Sequence, residues 1–258
     1  MLRCASILLC LLVLPDSERA PLGRVPVAPR TTVAILSFDN NTGSADYDAL
    51  GKGIAAMMIS DLSAVKELQL LERERIQELI KEMSIQHTTL FDSTTAVKVG
   101  RMVGAQYIVV GAFAAVQPRM RIDTRVVRVE TGEVVKTAQV TGDQDKFFEL
   151  EQALASKLID GLGLTLSPDQ QERLTTQQNA NRVDALSTMT SFSRALARYD
   201  ERDYPGALEH MLPAVQGAPN SMFLRTAFDE MKGRAGNSAK DKAKEKLKAG
   251  LGGLFRRP

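Results

Sequence analysis

The fold is decided by the stretch Thr32-Val33-Ala34-Ile35-Leu36-Ser37-Phe38-Asp39-Asn40-Asn41-Thr42-Gly43. Residues 32–36 are a continuous run of apolar and β-branched side chains, which predicts a strand buried on both faces. Turn-forming residues follow from Asp39 to Gly43 and end that strand. A strand of this kind is typical of a sheet with helices packed on it, as in α/β proteins.

Helices and strands alternate after this opening strand, up to about residue 163. The spacing of apolar residues predicts each of them. In chain order they are a helix at about 46–65, a strand at Leu68–Leu71, a helix at Ile76–Met83, a helix capped by Asp92 or Ser93 and ended by Gly104, a strand at Tyr107–Phe113, a hairpin of strands at Met120–Val126 and Val134–Val140, and a helix from Phe147 to Gly161 or Gly163. The predicted fold class is therefore α/β, a mixed sheet with helices packed on it, over residues 31–163.

Residues 164–231 predict a smaller, all-α region built around a helical hairpin. Ser167, Pro168 and Gln170 form the pattern of a helix start with a capping box. One such hairpin does not bury its apolar face alone, so it packs on the α/β domain, on a copy of itself or on a partner. The pattern resembles one tetratricopeptide-like unit, and its candidate partner-binding residues are Tyr199, Tyr204, Ala207 and Pro219.

The first 20 residues have the pattern of an export signal. An apolar run from Cys4 to Leu14 follows the positive charge of Arg3; it is too short to span a membrane as a helix but suits a signal-peptide core. Cys10 is a candidate lipid-attachment residue, so residues 1–20 are either a signal peptide or a lipoprotein signal, with a buried N-terminal segment as the alternative. Residues 21–30 are rich in proline and predict an extended linker.

The net charge is unevenly distributed along the chain. The whole chain carries +2, but residues 232–258 hold nine lysines and arginines against two acidic residues, which gives this tail +7 and leaves −5 on the rest. A basic stretch with sparse apolar residues predicts either a helix on an anionic membrane surface or a solvated, disordered end. Its candidate surface-binding lysines are Lys240, Lys242, Lys244, Lys246 and Lys248.

Residue types that carry catalysis or bind metals are sparse. The only cysteines are Cys4 and Cys10, and the only histidines, His87 and His210, lie far apart in the sequence. This excludes a disulfide framework, a cysteine-based zinc site and the common zinc-hydrolase motifs. The lack of tryptophan and the 5% aromatic content give no support for base stacking. We therefore predict no catalytic residue, no metal or cofactor, and no nucleic-acid partner.

Three charged sites in the sequence are candidates for a functional role or for a structural one. Gly51-Lys52-Gly53 lacks the spacing of a phosphate-binding loop, so Lys52 is predicted to be a solvated residue of the first helix. Asp39 follows the first strand, at the sheet end where α/β proteins often bind ligands. The charge run Glu72-Arg73-Glu74 enters a helix, and a solvated helix face is its structural explanation.

Four segments stand out as a set: residues 33–43, residues 71–79, residues 104–111 and residues 126–134. Together they resemble the CsgG family of curli-type production, assembly and transport components, whose core is shared by FlgO-type proteins and the N-terminal domain of TolB-like proteins. The resemblance covers residues 31–163. Its motif residues are Asp39, Asn41, Thr42 and Gly43 in the loop and Glu72, Arg73 and Glu74 at the helix start.

The resemblance implies export to the cell envelope, at a periplasmic site or on the periplasmic side of the outer membrane, and work in assembly rather than catalysis. On the leading hypothesis, the α/β domain scaffolds either self-association into a homo-oligomer or the protein partners of an envelope assembly or secretion complex. Pore-forming members of the family insert long membrane hairpins, with strands of about 9–11 residues. The connections at 114–119 and 141–146 are too short for such hairpins, so we predict that this chain makes no pore by itself.

Two other function classes stay open on the sequence alone. One is a nucleotide- or small-ligand-binding α/β protein that uses the loop from Asp39 to Lys52. The other is a cytoplasmic repeat-type adaptor, in which the apolar N-terminal run is not an export signal. A non-catalytic envelope assembly or transport component is the leading hypothesis.

Overall fold

The computed structural model describes residues 30–83, 92–116 and 118–254. The predicted signal at residues 1–20, with Cys10, and residues 21–29 of the linker lie outside the described residues. His87 also lies outside them.

Within the residues that the structure describes, the α/β part contains six strands and four α-helices, which confirms the predicted fold class. In chain order they are β1 (Thr31–Ile35), β2 (Asp39–Asn40), α1 (Leu50–Leu62), β3 (Leu68–Leu70), α2 (Arg73–Glu82), α3 (Ser93–Val103), β4 (Tyr107–Val116), β5 (Arg119–Arg128), β6 (Val134–Asp143) and α4 (Phe147–Gly161). Short 3₁₀ helices at Ala45–Tyr47 and Gln144–Lys146 precede α1 and α4.

The helical region contributes four further helices. They are α5 (Pro168–Asn181), α6 (Leu186–Asp200), α7 (Tyr204–Gly217) and α8 (Met222–Leu254). The predicted capping box at the start of α5 is present, since Ser167 accepts from the backbone of Gln170 and the Gln170 side chain accepts from the backbone N–H of Ser167. The helices α6 and α7 form the predicted hairpin, whereas its identity as a tetratricopeptide-like unit stays a prediction.

The sheet is mixed, with strand order β3-β1-β4-β5-β6 and the short β2 paired to β4. β1 runs parallel to β3 and β4, whereas β4, β5 and β6 form an antiparallel meander. β1 therefore has a neighbour on each side, and its inner residues are buried on both faces, as the apolar run predicts.

Two helical layers cover the sheet, and alternate residues of β1 point into them. Ala34 belongs to a core cluster with Ile80 of α2 and Val99 of α3. Val33 and Ile35 belong to a larger cluster on the opposite face, which includes the apolar residues of α1 and α4. The side-chain period of two along a strand accounts for this division.

The larger cluster continues without a break into the helical region. Its buried members include Leu174 of α5, Phe192 of α6, Met211 of α7 and Leu224 of α8. The helical region is therefore packed against α1 and α4 by the same apolar core that covers the sheet. Of the three arrangements predicted for an isolated hairpin, the structure has packing on the α/β domain.

Several element boundaries differ from the sequence prediction. The strands β4 and β5 pair as far as Val116 and Arg119, so only residues 117–118 connect them. β6 extends to Asp143 and takes up half of the predicted loop at 141–146. α8 continues to Leu254, past the boundary predicted at residue 231 between the all-α region and the tail, because alanine and lysine after this point are strong helix formers.

None of the described helices combines the length and the apolar character that crossing a membrane requires.

Candidate functional site

The sequence Gly51-Lys52-Gly53 in α1 is a point of close approach between three parts of the chain. A Cβ atom added at Gly51 would lie 1.8 Å from the carbonyl oxygen of Phe38. A Cβ atom at Gly53 would lie 2.0 Å from Ser193 Oγ of α6. Real Cβ atoms do not approach other atoms so closely, so both glycines are needed for packing. The pair of glycines holds the loop after β1 against one side of α1 and α6 against the other.

Lys52 lies between these glycines and forms an ion pair with the last residue of α6. Its Nζ is 2.6 Å from Asp200 Oδ2, and both side chains are largely buried. Arg73, the first residue of α2, donates from Nη1 to both oxygens of the same carboxylate at 2.9 and 3.1 Å. Asp200 therefore joins α1 and α2 to α6.

The predictions for Lys52 and Arg73 as solvated residues are wrong. Arg73 is only 5% exposed, and Lys52 is held by Asp200. The sequence signal is local and shows a charge run at a helix start, whereas Asp200 lies more than 120 residues away along the chain. Glu74, which also pairs with Arg73 at 2.9 Å, is about half exposed, as expected of that charge run.

A cleft of 760 Å³ opens beside this ion-pair network. On one side lie Gln77, Glu78 and Lys81 of α2, and on the other lie residues near the α6–α7 turn. Lys81 Nζ donates to the backbone oxygen of Asp200 at 3.3 Å, so it links the two sides. The cleft is therefore a groove between the α/β domain and the helical region, with both charged and aromatic walls.

Two tyrosines form the aromatic wall of the cleft. The rings of Tyr199 and Tyr204 meet edge to face, with centroids 5.6 Å apart. The hydroxyl of Tyr199 donates to Glu230 Oε1 at 3.0 Å. Burial and the negative charge of Glu230 raise the pKa of Tyr199 to about 12, so this hydroxyl stays protonated at neutral pH. Arg202 lies between the tyrosines in the chain and adopts the left-handed region, with φ of 62°.

The structure separates the four predicted partner-binding residues into three groups. Tyr199 and Tyr204 lie together at the cleft. Ala207 is fully buried in the core, so the prediction of partner contact for this residue is wrong, because its methyl group serves helix packing. Pro219 is exposed beyond the end of α7 and does not line the cleft.

The motif loop after β1 is tied together by its own polar side chains. Asn40 Nδ2 donates to the carbonyl of Ser44 at 2.8 Å and to Asp48 Oδ1 at 2.7 Å. Asn40 Oδ1 accepts from the backbone N–H of Thr42 at 3.0 Å and from its hydroxyl at 2.7 Å. Gly43 has φ of 77°, a conformation that favours glycine. These contacts hold the loop in a defined conformation.

The other motif residues have structural positions as well. Asp39 is buried in the short strand β2, whereas Asn41 is exposed and donates its backbone N–H to Phe113 of β4. Glu72 is the N-cap residue of α2, although its side chain makes no capping bond. Of the tail lysines, Lys240 is exposed on α8, and the helix backbone continues through Lys242, Lys244, Lys246 and Lys248.

A second polar cluster, missed by the sequence analysis, is buried between α1, α4 and α5. Asp61 and Glu151 are 1% and 2% exposed. Asn181 Nδ2 donates to Asp61 Oδ1 at 2.6 Å and to Ser60 Oγ at 3.0 Å. Asp61 Oδ2 and both oxygens of Glu151 find no donor among the described groups. A proton shared by the two carboxyl groups would supply the missing donor.

The electrostatics of this cluster favour such a shared proton. Burial raises the pKa of Glu151 well above its ordinary value, and the charge of Asp61 and a hydrogen bond to it raise it further. Burial also raises the pKa of Asp61, although bonds from Asn181 and Glu151 lower it in part. Glu151 is thus the proton donor of the pair. The sequence indicates that Glu151 is buried through the position of this residue, which falls on the apolar face of the predicted closing helix with Phe147 and Leu154.

Within the described ranges, no group of three or more histidine, cysteine, aspartate or glutamate side chains is placed to hold a metal ion.

Comparison with known proteins gives a family match for part of the α/β domain. Residues 23–121 match the model of the family described as curli production assembly/transport component CsgG. A curated relative, "Putative adenylate cyclase 3" of Rhizobium meliloti (strain 1021), is 22% identical over 170 residues, which are 66% of this chain. The chain spans only 26% of the length of that relative.

Two of the solved structures that the comparison matches each cover about half of this chain. The C-terminal domain of LpoB from Salmonella enterica is 16% identical and covers 46% of this chain and 87% of its own, with a TM-score of 0.38. Lipoprotein GNA1162 from Neisseria meningitidis is 11% identical and covers 53% of this chain and 99% of its own, with a TM-score of 0.41. The family match covers residues 23–121, so the part of the α/β domain from β1 to the start of β5 is similar to the CsgG family.

Proposed function

We propose that this chain is a non-catalytic component of the bacterial cell envelope that works in the assembly or transport of other envelope molecules. The observation that carries the proposal is the match of residues 23–121 to the curli production assembly/transport family. The export pattern in the first 20 residues agrees with it.

The helical region gives this domain a second, rigidly attached surface. The shared apolar core and the ion pairs from Asp200 to Lys52 and Arg73 hold the two parts in one orientation. The cleft between them is bordered by Tyr199 and Tyr204. Tyrosine is enriched in protein interfaces because it combines a large apolar ring with a polar end. The cleft is therefore the surface at which a protein partner is expected.

A small-ligand function of the loop from Asp39 to Lys52 has less support. The side chains of Asn40 and Thr42 bond to each other and to neighbouring loop atoms. The ammonium group of Lys52 is held by Asp200. A nucleotide phosphate or a small anion would need these polar groups as binding partners. They already form hydrogen bonds or an ion pair within the protein.

The test combines cell fractionation with site-specific photocrosslinking in the native host. A photoreactive residue replaces Glu78 in the cleft, and a matched control replaces Lys157, which is exposed on α4 outside the cleft. The expected result is recovery in the envelope fraction and a discrete crosslinked protein at position 78 that position 157 does not give. A cytoplasmic protein, or the same crosslinks from both positions, contradicts the proposal.

A further inference from the structure

The helix α8 leaves the body of the protein after Met231. Up to that point it is packed, since Leu224 and Met231 are buried and Phe228 contacts the core. From residue 232 to residue 240 the described side chains are exposed or at most half-buried. The helix continues to Leu254, and 23 further residues at 1.5 Å each carry it about 35 Å beyond Met231.

The apolar, basic and acidic residues of this segment lie on different sides of the helix. With 3.6 residues per turn, five of the six alanine and leucine positions from residue 239 to residue 254 fall within about one third of the circumference. Five lysines flank that apolar stripe. Positions 240, 244 and 248 lie along one border, and positions 242 and 246 lie along the other. The two acidic positions, Asp241 and Glu245, lie on the side opposite the stripe. The apolar positions of the stripe are Ala239, Ala243, Leu247, Leu251 and Leu254, and Ala249 lies outside it.

We propose that residues 239–254 bind the surface of an anionic lipid bilayer, with the helix axis parallel to the membrane plane. An apolar stripe bordered by lysines on both sides suits the boundary between acyl chains and headgroups, because lysine stems lie along apolar material while their ammonium groups reach the phosphates. The net charge of +7 on residues 232–258, against −5 on the rest, directs this end of the molecule to a negative surface.

The same pattern argues against two other occupants. In a coiled coil with a second copy, lysines on both borders of the stripe would face lysines of the partner helix, and like charges there disfavour pairing. Nucleic acid would neutralise the lysines but would leave the leucine stripe unused. The stripe itself is weak, since it contains only alanine and leucine and is interrupted by Gly250, so binding depends strongly on charge.

The test is co-sedimentation of the full chain with vesicles of phosphatidylcholine alone and with vesicles of phosphatidylcholine and phosphatidylglycerol in equal parts. We expect at least about tenfold more protein bound to the anionic vesicles at low salt, and loss of most of that difference at high salt. Replacement of the three lysines along one border, Lys240→Gln, Lys244→Gln and Lys248→Gln, is expected to abolish the preference.

A matched control carries the same loss of charge on the α/β domain: Lys66→Gln, Lys98→Gln and Lys157→Gln, all exposed. This variant is expected to bind as the unchanged protein does. A second tail variant, Leu247→Glu with Leu251→Glu, tests the apolar stripe and is also expected to lose binding. The melting temperatures of both tail variants should stay unchanged, because the core lies before residue 232.

Three outcomes would overturn the proposal. The first is equal binding to neutral and anionic vesicles. The second is equal loss of binding in the tail and control variants, or undiminished binding in the tail variants, which would assign the interaction to another part of the chain. The third is retention of vesicle binding by the leucine variant together with preferential binding of duplex DNA, which would assign the lysines to nucleic acid.

Discussion

Lys52 and Asp200 meet at 2.6 Å although 148 residues separate them in the chain. Arg73 reaches the same carboxylate from a third element, so a single aspartate at the end of α6 balances two cations of the α/β domain. This arrangement explains how a helical hairpin without a neighbouring repeat keeps a fixed position: the apolar core supplies the attraction, and the ion pairs fix the orientation.

Replacing Asp200 with asparagine should therefore destabilise the whole molecule. Arg73 is 5% exposed and would keep its charge with one of its two carboxylate partners lost. Removing one partner of a buried ion pair costs about 3 kcal/mol, because the remaining charge is left without compensation. Urea denaturation followed by circular dichroism measures this loss.

The neighbouring Glu201→Gln is the matched control for this experiment. Glu201 pairs with Arg198 at 3.5 Å on the surface, and exposed pairs of this kind contribute about 0.5 kcal/mol. If both variants unfold at the same urea concentration, Asp200 does not have the role assigned to it here.

A second prediction concerns the close approach of α1 and α6. Gly53→Ala should destabilise by about 1–3 kcal/mol, because its methyl group would lie 2.0 Å from Ser193 Oγ. Combining it with Ser193→Ala should recover part of this loss, and a double-mutant cycle in urea measures the coupling. Gly233→Ala is the control: nothing lies within 4 Å of the added atom, so the helix propensity of alanine should raise stability by up to about 1 kcal/mol. Independent effects of the substitutions at positions 53 and 193 would contradict the close contact.

The sequence predicts much of the α/β domain because its signals are local. The apolar run at 32–36 and the cap at Asp92 both appear in the structure near their predicted positions. The contact between the α/β domain and the helical region is harder to predict, since its ion pairs join residues more than 100 positions apart. A lysine between two glycines also has the same local pattern whether its side chain is solvated or paired. Asp61 and Glu151 are intermediate cases: each lies on an apolar helix face, which signals a buried carboxyl group but does not name its partner.

The motif loop provides a prediction that separates a structural role from a ligand-binding role. Asn40→Ala removes the side chain that accepts from Thr42 and donates to Asp48, and should cost about 1–2 kcal/mol. The exposed neighbour provides the control, and Asn41→Ala should change stability by no more than about 0.5 kcal/mol. Thermal melts with and without nucleotides extend the test. A ligand that binds the native state must raise its melting temperature, so a protein that binds no nucleotide shows no shift. This is the result that we expect for the unchanged protein. A shift that disappears in Asn40→Ala would support the small-ligand function instead.

The buried carboxyl pair predicts a particular dependence of stability on pH. The pKa of Glu151 is raised in the folded protein, whereas in the unfolded chain it returns to its ordinary value of 4.5. Between these two values the folded state holds a proton that the unfolded state has released. Stability is therefore greatest below pH 4.5 as far as this group is concerned, and it falls as the pH rises towards the folded pKa, by about 1.4 kcal/mol for each pH unit.

Glu151→Gln should remove this dependence, because glutamine is neutral at every pH and its amide can donate to Asp61 in place of the shared proton. Relative to the unchanged protein, the variant should gain stability steadily from about pH 5 upward. Urea denaturation at a series of pH values measures the difference. The matched control is Glu149→Gln, two residues earlier on α4, where the side chain is 65% exposed and no such trend is expected. A constant difference between Glu151→Gln and the unchanged protein across the whole pH range would mean that Glu151 holds no extra proton in the folded state.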